Sequence, residues 1–168
     1  MDRIIDILKT VDRPGIDQVI EFMRSSDYAK ASCYNHHKYK GGLVDHSLEV
    51  YELMMSRKGR LPVDSVIVCA FFHDLGKAHN SGMAFRGSHE QRSIRILDAC
   101  GFSLTDNERS AIANHHKKSS DYLTDPLRHC LSSSDMSSTG KWILDHPDSN
   151  QSSSKRMKDT LLFMLSKL

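Results

Sequence analysis

Leu127, Leu131 and Asp135 stand one helical turn apart, so a carboxylate continues the apolar stripe of a helix. A buried carboxylate is costly unless a cation or hydrogen-bond donors face it. The same conflict recurs along the chain. His46 shares a helical face with Leu43, Val50 and Leu53, and His115 follows Ala111 and Ile112 by one turn. His73 and Asp74 come directly after Ala70, Phe71 and Phe72 in the most apolar stretch. His89 opens a helical stretch one turn before Ser93, on a face with Ile96. Singly, each has a plain structural explanation. A core histidine is usually just hydrogen-bonded, Asp135 could pair with Arg128, and Asp74 could cap a helix. Together, four histidines and two aspartates make a core too polar to fold unless something shared neutralises them. A pair of divalent metal ions does so. This donor set suits Fe, Mn, Ni, Co or Zn better than Ca or Mg. One Asp can bridge two ions about 3.5–4 Å apart, the arrangement used in phosphoryl hydrolysis.

The remaining patterns are helical. Apolar stripes with helical period run through residues 3–11, 16–24, 43–57, 63–77 and 90–99. Thr105 and Glu108 have capping-box spacing and start a helix reaching Lys117. Asp125 and Pro126 read as an N-cap and first helical residue of a helix ending near Ser138. A last stripe lies at Leu161, Leu165 and Leu168, and could dock on its own domain or on a second subunit, leaving an oligomer open. Segments 32–42, 80–87 and 145–154 read as loops. No stretch alternates apolar and polar residues, so the class is all-α, in one domain over residues 1–168. The four cysteines form no CxxC pair and read as buried reduced thiols. The first residues, MDRIIDILKTVDRPG, carry charge at once and are neither a signal peptide nor a membrane span. A cytoplasmic protein with no membrane association is expected. With 23 Lys and Arg against 21 Asp and Glu, the net charge of +2 excludes a strongly basic nucleic-acid coat.

The pattern His46 … His73-Asp74 … Asp135 resembles the HD-domain superfamily of metal-dependent phosphohydrolases. Gly41-Gly42-Leu43-Val44-Asp45-His46-Ser47-Leu48 is similar to its "GGLLEHSL" helix start, and Phe72-His73-Asp74-Leu75-Gly76-Lys77 to its "LHDIGK". His89 and His115 resemble the longer H…HD…H…H…D pattern of two-metal members, chiefly small phage and bacterial HD proteins. The resemblance runs over residues 32–139, with N-terminal helices in 1–31 and a C-terminal helix in 155–168 outside it. It implies a helical bundle and two divalent transition metal ions. His46, His73, Asp74 and Asp135 would hold the first, Asp74 would bridge, and His89 with His115 would hold the second. Asp74 and Lys77 would be catalytic, a metal-activated water the nucleophile, and Lys77, Arg86, His116 and Lys117 substrate-binding. Lys38, Lys40, Arg92 and Lys118 could extend the phosphate-binding rim.

The implied activity is hydrolysis of a phosphate ester in a nucleotide or a short single-stranded nucleic acid. The stretch Asn35-His36-His37 … Gly41-Gly42 resembles the HD domain of a bacterial 3′-to-5′ exoribonuclease, and His36 and His37 could line the entrance. A second His after His115 occurs in HD relatives that cleave cyclic dinucleotides. Glu90 replaces a small residue of the relatives and is expected to cap its helix rather than bind metal. Tyr28, Tyr34 and Tyr39 could stack on a base, but packing against the N-terminal helices is the expectation. HD-type di-iron oxygenases share the six ligands, and a non-catalytic nucleotide-binding HD module would too.

Overall fold

The computed structural model describes residues 1–82, 85–117 and 123–146. The final stripe at Leu161, Leu165 and Leu168, most of segment 145–154, and Lys118 lie outside the described residues. Seven α-helices are described: α1 (Asp2–Leu8), α2 (Ile16–Ser25), α3 (Gly42–Arg57), α4 (Val63–Phe72), α5 (His89–Ala99), α6 (Asp106–Asn114) and α7 (Pro126–Asp145). A 3-10 turn spans Leu75–Lys77, and no β-strand occurs among the described residues. The all-α expectation holds.

The most apolar segment sits at the centre. Every residue of α4 from Ser65 to Phe72 is buried, and the helix packs on α1, α3, α6 and α7. A helix apolar on all sides has nowhere else to go. The amphipathic helices surround it, and α3, α4, α6 and α7 each bring one end or one face to the same place. No described helix is long and apolar enough to cross a membrane. All four cysteines are free and buried, as read from the sequence.

Residues 63–77 do not form one helix. The α4 helix stops at Phe72, and Asp74 leaves helical geometry at φ −108° and ψ 9°. The cause is Ser93 of α5. Its hydroxyl donates to His73 O at 3.0 Å and accepts from Gly76 N–H at 2.8 Å, diverting backbone groups that a continuing helix would use. Gly76 lets this happen, because a Cβ there would lie 2.2 Å from His89 O. The break turns Asp74 and Lys77 towards the bundle interior, where both are buried.

Other boundaries shift for local reasons. The α5 helix begins one residue before the expected start, at His89, because Ser88 and Gln91 complete a capping box that the sequence reading passed over. The α6 helix begins at the expected capping box but ends at Asn114 rather than Lys117. The α7 helix continues past Ser138 to Asp145. Ser133 and Ser137 bond back to carbonyls one turn earlier, and buried Trp142 and Ile143 prolong its inner face.

The N-terminal segment is tied to α6. Arg13 donates to both oxygens of Glu108, at 2.9 and 2.7 Å, and Glu108 also accepts from the Thr105 N–H in its capping box. Burial by itself would raise the Glu108 carboxyl, but hydrogen bonds from Arg13, Ser65 and the Thr105 backbone outweigh it and hold the group below its ordinary value of 4.5. A carboxylate whose folded pKa is depressed stabilises the fold above its unfolded pKa and loses that contribution as pH falls through the folded value. Arg13→Ala should therefore cost ~3 kcal/mol at neutral pH. In urea unfolding, the gap between wild type and variant should narrow as pH drops below about 4.5; a gap independent of pH would show that the ion pair is not the source.

Candidate metal centre

Five elements deliver the polar residues to one buried place. The α3 helix turns His46 inwards, and the break after α4 presents His73 and Asp74. The start of α5 supplies His89 and Glu90, the end of α6 supplies His115 and His116, and the middle of α7 supplies Asp135. Asp74 is 1% exposed and Asp135 4%. His46 Nε2 lies 3.2 Å from Asp135 Oδ1, 3.3 Å from His73 Nε2 and 3.6 Å from Asp74 Oδ2. On the other side, Asp74 Oδ1 lies 3.4 Å from His89 Nε2. The rings of His73 and His89 stand 5.1 and 5.7 Å from that of His115.

Hydrogen bonding fixes which nitrogens face this place. His73 Nδ1 donates to Ala70 O at 2.9 Å, and His115 Nδ1 donates to Ile112 O at 2.8 Å. A carbonyl has no proton to give, so each neutral ring carries its lone pair on Nε2. His46 reaches the same state through a relay. Ser138 Oγ donates to Glu49 Oε2 at 2.7 Å, which uses its only proton, so it accepts from His46 Nδ1–H at 3.0 Å. In the neutral rings, lone pairs and carboxylate oxygens thus confront one another. The separations of 3.2–3.6 Å suit donors sharing an ion with bonds of ~2.1 Å.

The electrostatics agree. Burial pushes the His73 imidazole down to about 3, so it stays neutral. Burial also lowers His89 and His116. Burial alone would raise Asp74 and Asp135. For Asp74 positive charge wins, which a proton on His73 would supply, Lys77 supplies permanently and a proton on His46 or His115 would add to, and it holds the carboxyl well below the usual carboxylate range. For Asp135 a proton on His46 Nε2 would do the same through a hydrogen bond and its charge, so a metal ion placed there takes over the part of that proton. Asp74 Oδ1, His89 Nε2 and His115 Nε2 are buried without a hydrogen-bond partner. Of these, Asp74 Oδ1 and His115 Nε2 are acceptors, and orphaned buried acceptors call for a cation.

The donors fall into overlapping groups able to hold an ion: His46, His73 and Asp135; His73, Asp74 and His115; and His89, Glu90, His115 and His116. All six residues of the expected ligand set are among them, and Asp74 stands between the two sides. The third group adds two residues read differently from the sequence. His116 was expected on the substrate side, yet its ring is 4.1 Å from that of His115 and its Nδ1 3.7 Å from Asp135 Oδ2. For Glu90 the sequence favours a cap over a ligand, but Ser88 and Gln91 form the capping box. Glu90 bonds to the Ser88 hydroxyl and sets Oε1 3.4 Å from His89 Nε2.

The phosphate-binding expectations divide. Lys77 is buried with its Nζ on Asp74 Oδ2. Arg92 is consumed structurally, donating to Gly76 O, Gly87 O and the Tyr34 hydroxyl. Arg86 and Lys117 are exposed on loops beside α5 and α6 and are not drawn into the ligand group; Lys38 and Lys40 are exposed before α3. His36 and His37 do not line an entrance. Both are buried behind His46, with the His36 ring 4.5 Å from it. Tyr28 is core, as expected, whereas Tyr34 and Tyr39 are exposed and do not pack on the N-terminal helices.

Glu49 and Ser138 were not found by sequence reasoning, although each follows a ligand by three residues on the same helical face, after His46 and Asp135 respectively. Groups that orient a ligating His typically change metal affinity 10–100-fold when lost. Ser138→Ala should weaken binding of the ion held by His46 by about that factor, and Ser138→Thr should restore it. Competition of a chelating dye for Co2+ measures this; unchanged affinity in Ser138→Ala would remove the relay from the design of the site.

Comparison with known proteins fits this geometry. Neither curated proteins nor solved structures gave a match. A family model, described as HD domain, matches residues 43–157, well over half of the chain. That segment contains all six residues of the expected ligand set, and the family consists in general of metal-dependent hydrolases. The chain is a member of the HD-domain family, with a His/Asp cluster able to bind metal.

Proposed function

We propose that the chain is a metal-dependent phosphohydrolase that cleaves a phosphate ester of a nucleotide or of an oligonucleotide end at a two-metal site. One observation carries the reading. Two donor groups, each short of a cation, adjoin across a single buried carboxylate, that of Asp74. His46, His73, Asp74 and Asp135 would hold one ion, and His89, His115 and Asp74 the other, with Glu90 and His116 within reach of the second. When bound, divalent ions supply Lewis acidity towards phosphoryl oxygens and lower the pKa of water to about 7.

The chain supplies the rest. The relay behind His46 and the carbonyl bonds of His73 and His115 keep three imidazole lone pairs aimed inwards without proton competition. Lys77, held on Asp74, fixes a positive charge where a phosphoryl group gains negative charge in reaction. His116, 49% exposed, marks the open side. Tyr34 supports a nucleotide rather than a simple phosphate ester. Its ring is 58% exposed, its centroid lies 6.0 Å from Lys77 Nζ, and Arg92 holds its hydroxyl. An anchored aromatic face at that distance from the phosphate position suits base stacking.

The test is an anaerobic screen of nucleoside mono-, di- and triphosphates, cyclic nucleotides and short single strands, each with Mn, Co, Ni, Fe and Mg. Release of phosphate or of a shortened nucleotide is expected, with turnover abolished in Asp74→Ala. Tight binding without turnover would favour a nucleotide-binding module, and iron-dependent turnover that begins only when O2 is admitted, with O2 uptake, an oxygenase. Tyr34→Ala should raise KM for the nucleotide about tenfold and leave KM for ribose 5-phosphate unchanged, while Tyr34→Phe behaves as wild type. Equal loss on both substrates would remove Tyr34 from base recognition.

A further inference from the structure

We infer that Cys33 and His36, together with His46, form an additional metal position that takes a thiophilic cation such as Zn2+ or Cd2+, in competition with the ion held by His46, His73 and Asp135. All three side chains are buried, and their donor atoms lie within 4.8 Å of one another. A thiolate and two imidazoles select Zn2+ or Cd2+ over the harder Mg2+ and Mn2+.

The segment carrying these groups is closed and pinned. Cys33 N–H donates to His37 O at 3.4 Å. His37 adopts a left-handed backbone at φ 45°, unusual for a residue with a side chain. Its carbonyl lies against the first residue of α3, where a Cβ on Gly42 would come 2.0 Å from His37 O. The donors are therefore set by backbone packing and not gathered by chance from a loose loop.

Proton accounting frees a nitrogen of His36. His36 Nδ1 and His37 Nδ1 are 2.9 Å apart and share one proton. His37 Nε2 faces Glu49 Oε2 at 3.3 Å and belongs to no group able to hold an ion among the described residues, so a proton on this nitrogen is what relieves the contact. The His37 proton is then on Nε2, its Nδ1 accepts from His36 Nδ1–H, and His36 Nε2 keeps the lone pair. When the metal–sulfur bond forms, the Cys33 thiol proton leaves to solvent. His46 has one free nitrogen, because its Nδ1–H is spent on Ser138. A cation on Cys33 and His36 therefore takes His46 away from the neighbouring ion, and the two positions exclude each other.

Cadmium binding tests this without reference to any substrate. Metal-free protein titrated with Cd2+ should develop a thiolate-to-cadmium charge-transfer absorption in the near ultraviolet, with one thiolate per chain. Cys33→Ser should lose the band while still binding Cd2+ at the other donors, and His36→Gln should need at least about tenfold more Cd2+ to produce it. Protein preloaded with Mn2+ should release part of it, seen by electron paramagnetic resonance, when Cd2+ is added to wild type but not to Cys33→Ser. Absence of the band in wild type, its persistence in Cys33→Ser, or equal Mn2+ release from both proteins would overturn the inference. None of these outcomes depends on whether the chain hydrolyses nucleotides.

Discussion

Two carboxylates lie inside a helical bundle, and most of the polar architecture answers to them. Asp74 and Asp135 are almost fully buried, and burial opposes their charge. An apolar interior can keep such groups ionised only by surrounding them with donors or cations. Lys77 covers one oxygen of Asp74, and His46 approaches Asp135. The remaining oxygen of Asp74 has no hydrogen-bond partner and lies 3.4 Å from His89 Nε2. The core is thus built with a deficit of positive charge at its centre, the condition that a metal-binding hydrolase of this family meets with divalent ions.

The deficit is maintained by hydrogen bonds one layer further out. Three histidines spend their Nδ1–H groups on partners that can only accept, two on backbone carbonyls and one on a serine already committed to a glutamate. Backbone carbonyls one turn back are cheap partners for a helical or helix-end His, since they come with the helix itself. His46 lies inside its helix, where the carbonyls are in use, and so takes its partner from α7, Ser138, which Glu49 one turn further along α3 holds in the accepting orientation.

Much of this was legible in the chain. Asp135 betrays itself by continuing a leucine stripe, and the capping signals at Thr105 and Asp125 place α6 and α7 correctly at their starts. The break after His73 was not legible, because it depends on Ser93, twenty residues away, taking a carbonyl and an amide from a segment whose own pattern is helical. Arg92 and Lys77 read as free cations in sequence, and only the fold shows that one is tied to backbone carbonyls and the other to Asp74. His36 and His37 sit in a polar loop that reads as exposed. They are buried because Gly42 admits the loop's backbone against α3. The C-terminal segment falls outside the described residues.

The tie between Arg13 and Glu108 bears on what counts as the functional unit. The family match begins at residue 43, yet Glu108, at the start of the helix that ends in His115, is met by an arginine thirty residues upstream of that boundary. Cys33 and His36 also precede it. A segment cut at the family boundary would carry the six expected ligands and leave the buried Glu108 without the arginine that meets both its oxygens, at the foot of the helix that aims one of them. In modular terms the matched segment is not a portable part: the aim of one of its ligands is secured by a residue that lies before its first position.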